Sequence, residues 1–202
     1  MKSGFVHSLN GGGAVAHLSV SDMSFIRKWR ETSAAVLQDT KGHLLDQTNG
    51  IILVTCGDRD RAPEIFKFQA LMQAQTSGDP KIHILSWNGG ALRLTKRSPT
   101  NKHGRSTDRD FLDEIHDAIS IKNILTVALY IHFPCGKATA CGLGFRDCIE
   151  FLFKAKERIK MENEGVRVAC FCHIDYGNSI QRTYFVSKER YSAWLKDCYQ
   201  RT

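Results

Sequence analysis

Two short unbroken runs of apolar and β-branched residues, Ile51 to Thr55 and Leu125 to Ile131, constrain this chain more than any other feature. A strand that buries one face alternates apolar with polar residues. One that is apolar throughout has both faces covered, as in a parallel sheet packed between helices. The remaining segments fit that frame. Pro63 suits a first helical turn, and Ile65, Phe66, Phe68, Leu71 and Met72 give that helix an apolar face running to Gly78. Ile82 to Trp87 reads as a strand, and Phe111, Ile115, Ala118 and Ile119 repeat at helical intervals. Leu143, Phe145, Cys148, Ile149, Leu152 and Phe153 predict an amphipathic helix spanning Gly136 to Lys160, before strands at Val166 to Ile174 and Arg182 to Val186 and a closing helix from Tyr191 to Tyr199. Strand and helix alternate, so the expected fold is α/β, a central and mostly parallel sheet flanked by helices in three layers.

Each apolar run ends on reactive side chains: Cys56-Gly-Asp58 follows the first, and His132-Phe-Pro-Cys135-Gly136 the second. Neighbouring parallel strands converge at their carboxyl ends on one crevice, so residues distant in sequence meet there. Two thiolates and an imidazole, with a carboxylate beside them, are ligands suited to zinc; three protein ligands leave a fourth position for water, whereas structural sites fill all four. The residues point to a metal-dependent hydrating or hydrolytic enzyme.

Cys56-x-Asp58 followed by His132-x-x-Cys135-Gly136 resembles the zinc signature of the β-class carbonic anhydrases. Asn88-Gly89-Gly90 is similar to that family's Asn-Ala-Gly segment, and the likeness runs from about residue 50 to 190. The resemblance implies Zn2+ held by Cys56, His132 and Cys135, with Asp58 orienting the zinc-bound water or displacing it in a closed state. It further implies reversible hydration of carbon dioxide to bicarbonate by zinc-bound hydroxide, the reaction of a zinc lyase, in a homodimer or higher homo-oligomer. A carbon disulfide or carbonyl sulfide hydrolase with the same ligands and a non-catalytic zinc-binding relative are the alternatives. One position departs from the family. Its first motif continues to an Arg that pairs the Asp, and here Asp60 stands in that place between Arg59 and Arg61. Arg59 and Arg61 are the candidates to fold back onto Asp58 and restore the pair, with Arg61 taken as the catalytic partner; with neither in place, Asp58 would stay on zinc as a fourth ligand.

Composition narrows the remaining classes. At 202 residues one domain is expected. Residues 1–20, with Gly11-Gly12-Gly13, read as a flexible N-terminal arm, and residues 21–202 as a single domain. Its first helix, capped by Ser21 or Asp22, carries Phe25, Ile26, Trp29, Ala34, Val36 and Leu37. No membrane span or signal core is evident, and seven scattered cysteines suit a reducing, cytoplasmic setting. The formal charge of +7 is partly local, with Arg93, Lys96, Arg97, Lys102, Arg105 and Arg109 in what reads as an exposed basic loop over 93–110. Base-stacking aromatics are missing within it, so nucleic acid is not the expected partner; a small-molecule substrate is. Gly136-Lys137-Ala-Thr139 lacks the first glycine of a phosphate loop, and Gly142-x-Gly144 the third of a dinucleotide fingerprint. Cys170 and Cys172 read as core thiols, with His173 and Asp175 on the opposite strand face.

Overall fold

The computed structural model describes residues 17–40, 45, 48–101 and 105–200. Residues 1–16 of the expected arm, and Lys102 of the basic stretch, lie outside these. Chain order is α1 (Val20–Arg30), β1 (Leu37–Asp39), β2 (Ile51–Thr55), α2 (Arg61–Ser77), β3 (Ile82–Ser86), a 3-10 helix (Gly90–Leu94), α3 (Thr107–Lys122), β4 (Thr126–Phe133), α4 (Gly136–Thr139), α5 (Phe145–Glu162), β5 (Arg167–Asp175), β6 (Gln181–Val186) and α6 (Lys188–Tyr199).

The six strands form one sheet in the order β1-β6-β5-β4-β2-β3. The four from β5 to β3 run parallel, and the β5–β6 and β6–β1 pairs are antiparallel. β2 and β4, the two apolar runs, are neighbours in its interior, buried at every residue. Their alternate side chains feed two cores. Ile52, Val54, Val127, Leu129 and Ile131 join Trp29, Phe111, Phe145, Leu152 and Trp194 from α1, α3, α5 and α6. Ile51, Leu53, Ala128, Tyr130 and Phe171 meet Ile65 and Met72 of α2 on the other face. Helices therefore cover both faces, heavily on one side and with essentially one helix on the other.

Three local expectations change. The helix foreseen from Gly136 to Lys160 is two helices, α4 and α5, because Gly142 takes a left-handed φ of +70° and turns the chain between them. Val36 and Leu37 do not continue the first helix; Ala35 turns at φ +46° and Leu37 opens β1, an edge strand paired with β6. The cap of α1 is Ser19, whose Oγ accepts from Asp22 N–H at 3.0 Å. Asp22 reaches further, its Oδ1 accepting from Phe145 N–H at 3.0 Å and so capping α5 as well.

The basic stretch is not one exposed loop. Arg93 is buried within the 3-10 helix, and Arg109 lies on α3 paired with Asp113 at 3.0 Å and Glu162 at 2.8 Å. Among the described residues no helix is long and apolar enough to cross a membrane.

Candidate metal centre

β2 ends at Thr55, so Cys56 leaves the carboxyl edge of the sheet; His132 sits near the end of the adjacent β4, and Cys135 begins α4. Parallel pairing of β2 with β4 brings these ends level. Cys56, His132 and Cys135 are all buried, and their ligand atoms lie within 4.8 Å of one another. Both ring nitrogens of His132 are buried without a hydrogen-bond partner among the described residues. A buried imidazole left so costs on the order of 1–3 kcal/mol for each unsatisfied group, and a metal ion between the imidazole and the two sulfurs would remove that cost for the nitrogen it binds.

The two thiols share a hydrogen bond, which favours ionising one of them over both. Hydrogen bonding from the Cys56 thiol, opposed by burial and assisted by His132, holds Cys135 well below the ordinary thiol range. The same interaction, together with burial, pushes Cys56 up, against the pull of Gly89 N–H, which donates to its Sγ at 3.2 Å. One thiolate beside an imidazole suits a soft, borderline cation, and the donor set fits zinc.

Gly89 and Gly90 shape this wall. Gly90 has φ +47°, and a Cβ there would stand 2.5 Å from Cys56 N and 2.6 Å from the Thr55 carbonyl carbon. Only a residue without a side chain lets this turn lie against the metal-binding strand end.

Asp58 is not one of the three clustered groups. Its Oδ1 accepts from the backbone N–H groups of Asp60 and Arg61, each at 3.0 Å, where the chain winds into α2. Burial raises its pKa, but those N–H donors, His132 and Arg61 outweigh burial and leave it lowered. Arg61 contributes its backbone here, while its guanidinium pairs with Asp175 and, at 3.3 Å, with Glu64. The expected side-chain pair between Arg61 and Asp58 is therefore not formed; the start of α2 supplies the restraint instead. Asp60, the departure from the family pattern, faces solvent and pairs with exposed Arg59 at 3.3 Å.

His173 and Asp175 do face away from Cys170 and Cys172, which are fully buried. His173 bonds Glu64 through Nε2 at 3.0 Å and Thr183 through Nδ1 at 2.8 Å, and sits opposite His132 in the β4–β5 register. Glu64 and Arg61 thus link α2 to β5 beside the candidate centre. The spacing of Arg61 and Glu64 on one helix turn is the sequence signal for their contact; their separate partners on β5, Asp175 and His173, have none. A cleft of about 580 Å³ opens here, lined by Asp58, Asp60, Arg61, Pro134 and Asp175 with apolar Leu18 and Met23.

No protein-family model and no curated protein sequence matches the chain. Solved structures do align with it. A carbonic anhydrase from Streptococcus mutans is 17% identical, covering 84% of this chain and 99% of that one, with a TM-score of 0.43. The β-carbonic anhydrase isoform I of Trichomonas vaginalis is 13% identical, covering 82% and 94%, with a TM-score of 0.42. A carbon disulfide hydrolase is 12% identical, covering 79% and 90%, with a TM-score of 0.32. These are low similarities, and the site is argued from its own geometry. The chain is an α/β protein that aligns with β-carbonic anhydrases at low identity and carries a buried Cys-His-Cys group suited to a metal ion.

Proposed function

We propose that this protein is a zinc-dependent enzyme interconverting carbon dioxide and bicarbonate, with Cys56, His132 and Cys135 holding the ion. The observation that carries the reading is the burial of Cys56, His132 and Cys135 together, with their ligand atoms all within 4.8 Å of one another at the ends of β2 and β4. When bound, the ion supplies Lewis acidity that makes water a nucleophile near neutral pH.

The chain's own residues supply the rest. Asp58, restrained by two N–H groups at the start of α2, keeps an ionised carboxylate at the cleft wall, able to accept a hydrogen bond from the attacking water and orient it. The Arg61–Asp175 pair ties α2 to the end of β5 and fixes the wall from which Asp58 projects. Leu18, Met23 and Pro134 offer the apolar gas an apolar surface in the same cleft. Resemblance to the β class adds a homodimer, which light scattering on the purified protein tests.

The deciding experiment joins metal analysis to stopped-flow hydration of carbon dioxide. One zinc per chain and hydration well above the buffer rate are expected, with Cys135→Ala losing both. Asp58→Asn should keep the zinc and lose about 10²-fold in rate. Fully loaded protein no faster than buffer would reduce the reading to a non-catalytic zinc protein; cleavage of carbon disulfide or carbonyl sulfide alone would keep the site and replace the substrate.

A further inference from the structure

A second cleft, of about 440 Å³, is lined by Gly57, Ser86, Trp87, Asn88, Arg93 and Lys137. Its lining residues adjoin those of the first cleft along the chain, Gly57 beside Asp58 and Lys137 beside Gly136, yet the two clefts share none. The metal-binding turns lie between them.

Arg93 is the unexplained group in this cleft. It is only 7% exposed, and its Nε is buried with no hydrogen-bond partner. No carboxylate pairs with it among the described residues; its guanidinium instead lies over the Trp87 ring at 5.1 Å. Burial works against its charge, pulling its pKa down. The part-buried Arg158, by contrast, is compensated by Asp108 at 2.7 Å and by Glu162 at 3.1 Å. A buried guanidinium without an anion is costly, and an anion arriving from outside would offset that cost.

The other lining side chains suit such a visitor. Lys137 adds a second cation, Ser86 and Asn88 add neutral polar groups, and no lining residue is acidic. Trp87 is held in place by stacking on Phe111, with centroids 5.3 Å apart. The geometry points to a binding site for a small oxyanion, held between the Arg93 guanidinium and the Lys137 ammonium and capped by Asn88. A planar guanidinium with a flanking ammonium favours oxygen-rich anions over halides, because fork-shaped donors match two oxygens at once. The site does not depend on turnover at the metal centre. Its position gives an anion bound there a direct structural line to that centre, through Gly89, whose N–H holds the Cys56 sulfur.

The test is titration of the zinc-loaded, full-length protein with inorganic phosphate at constant ionic strength set by chloride, read by calorimetry and tryptophan fluorescence. Saturable binding is expected, with a fluorescence change that Trp87→Phe abolishes. Lys137→Ala should weaken it about tenfold, as should Arg93→Lys, which keeps the charge and loses the fork, while Lys96→Ala on the exposed surface leaves it unchanged. Lys137→Ala covers the case in which Arg93→Lys fails to fold. Absence of saturable binding would overturn the inference. So would binding that Lys137→Ala and Lys96→Ala affect equally, or that survives Lys137→Ala and is lost with the metal in Cys135→Ala.

Discussion

At the scale of single residues, chemistry that follows from position along the chain was legible and chemistry that follows from side-chain direction was not. Cys56, His132 and Cys135 could be read because each ends an apolar run, and strand ends in a parallel sheet are brought together by the fold itself. Arg61 lies close to Asp58 in sequence, yet its guanidinium goes to Asp175, more than a hundred positions away. Arg93 was placed in an exposed loop by its neighbours' composition; its stacking on Trp87 is a tertiary fact. Gly90 gives a prediction at this scale. Gly90→Ala places a methyl group 2.5 Å from Cys56 N in a left-handed conformation, and should cost about 2–4 kcal/mol of stability, measured by urea denaturation. Because the wall that moves carries Cys56, the variant should also lose zinc to a competing chelator sooner than the unsubstituted protein does. A variant of unchanged stability and metal retention would show that the turn does not position the ligand.

Between elements, a few polar contacts do the fastening. Arg158 of α5 donates to Asp108 at the start of α3 and to the Leu94 carbonyl of the 3-10 helix at 2.8 Å, joining three elements through one guanidinium. Arg158→Leu leaves a largely buried Asp108 without its cation and should destabilise by about 3 kcal/mol in denaturation experiments. The edge strand β3 is tied to α3 by Lys122, whose Nζ lies 2.6 Å from His83 Nδ1. Burial, then the Lys122 charge, depresses the His83 pKa below 6.5. The unfolded chain therefore takes up this proton first as pH falls, so the stability that neutral His83 contributes is present above about pH 6.5 and is lost below it. NMR titration of His83 should give a midpoint under 6.5; one above it would contradict the contact. The element boundaries that sequence spacing missed, the α4–α5 break and β1, both turn on positive-φ residues, Gly142 and Ala35. Apolar periodicity carries no signal for such a turn: the stripe on α5 continues in phase with α4 and reads as one helix.

For the whole molecule, the order of strands and helices was readable because two-faced burial of β2 and β4 demands helices on both sides. The unequal thickness of those layers was not, since it depends on which helices crowd around Trp29. That ring contacts Phe25, Phe145, Tyr191 and Trp194, with centroids between 5.4 and 5.7 Å, and unites α1, α5 and α6. The candidate centre joins β2 and β4, two interior strands of the sheet, so on the proposed reading zinc should act on global stability. Free zinc at 1,000 times its Kd would add about 4 kcal/mol and raise the melting temperature, reversed by chelation. Equal melting with and without zinc would argue against occupancy of this site. The partnerless imidazole has a consequence beyond chemistry. On the proposed reading, a copy made without its metal keeps that flaw between β2 and β4, should open more often, and should be degraded sooner than a loaded one.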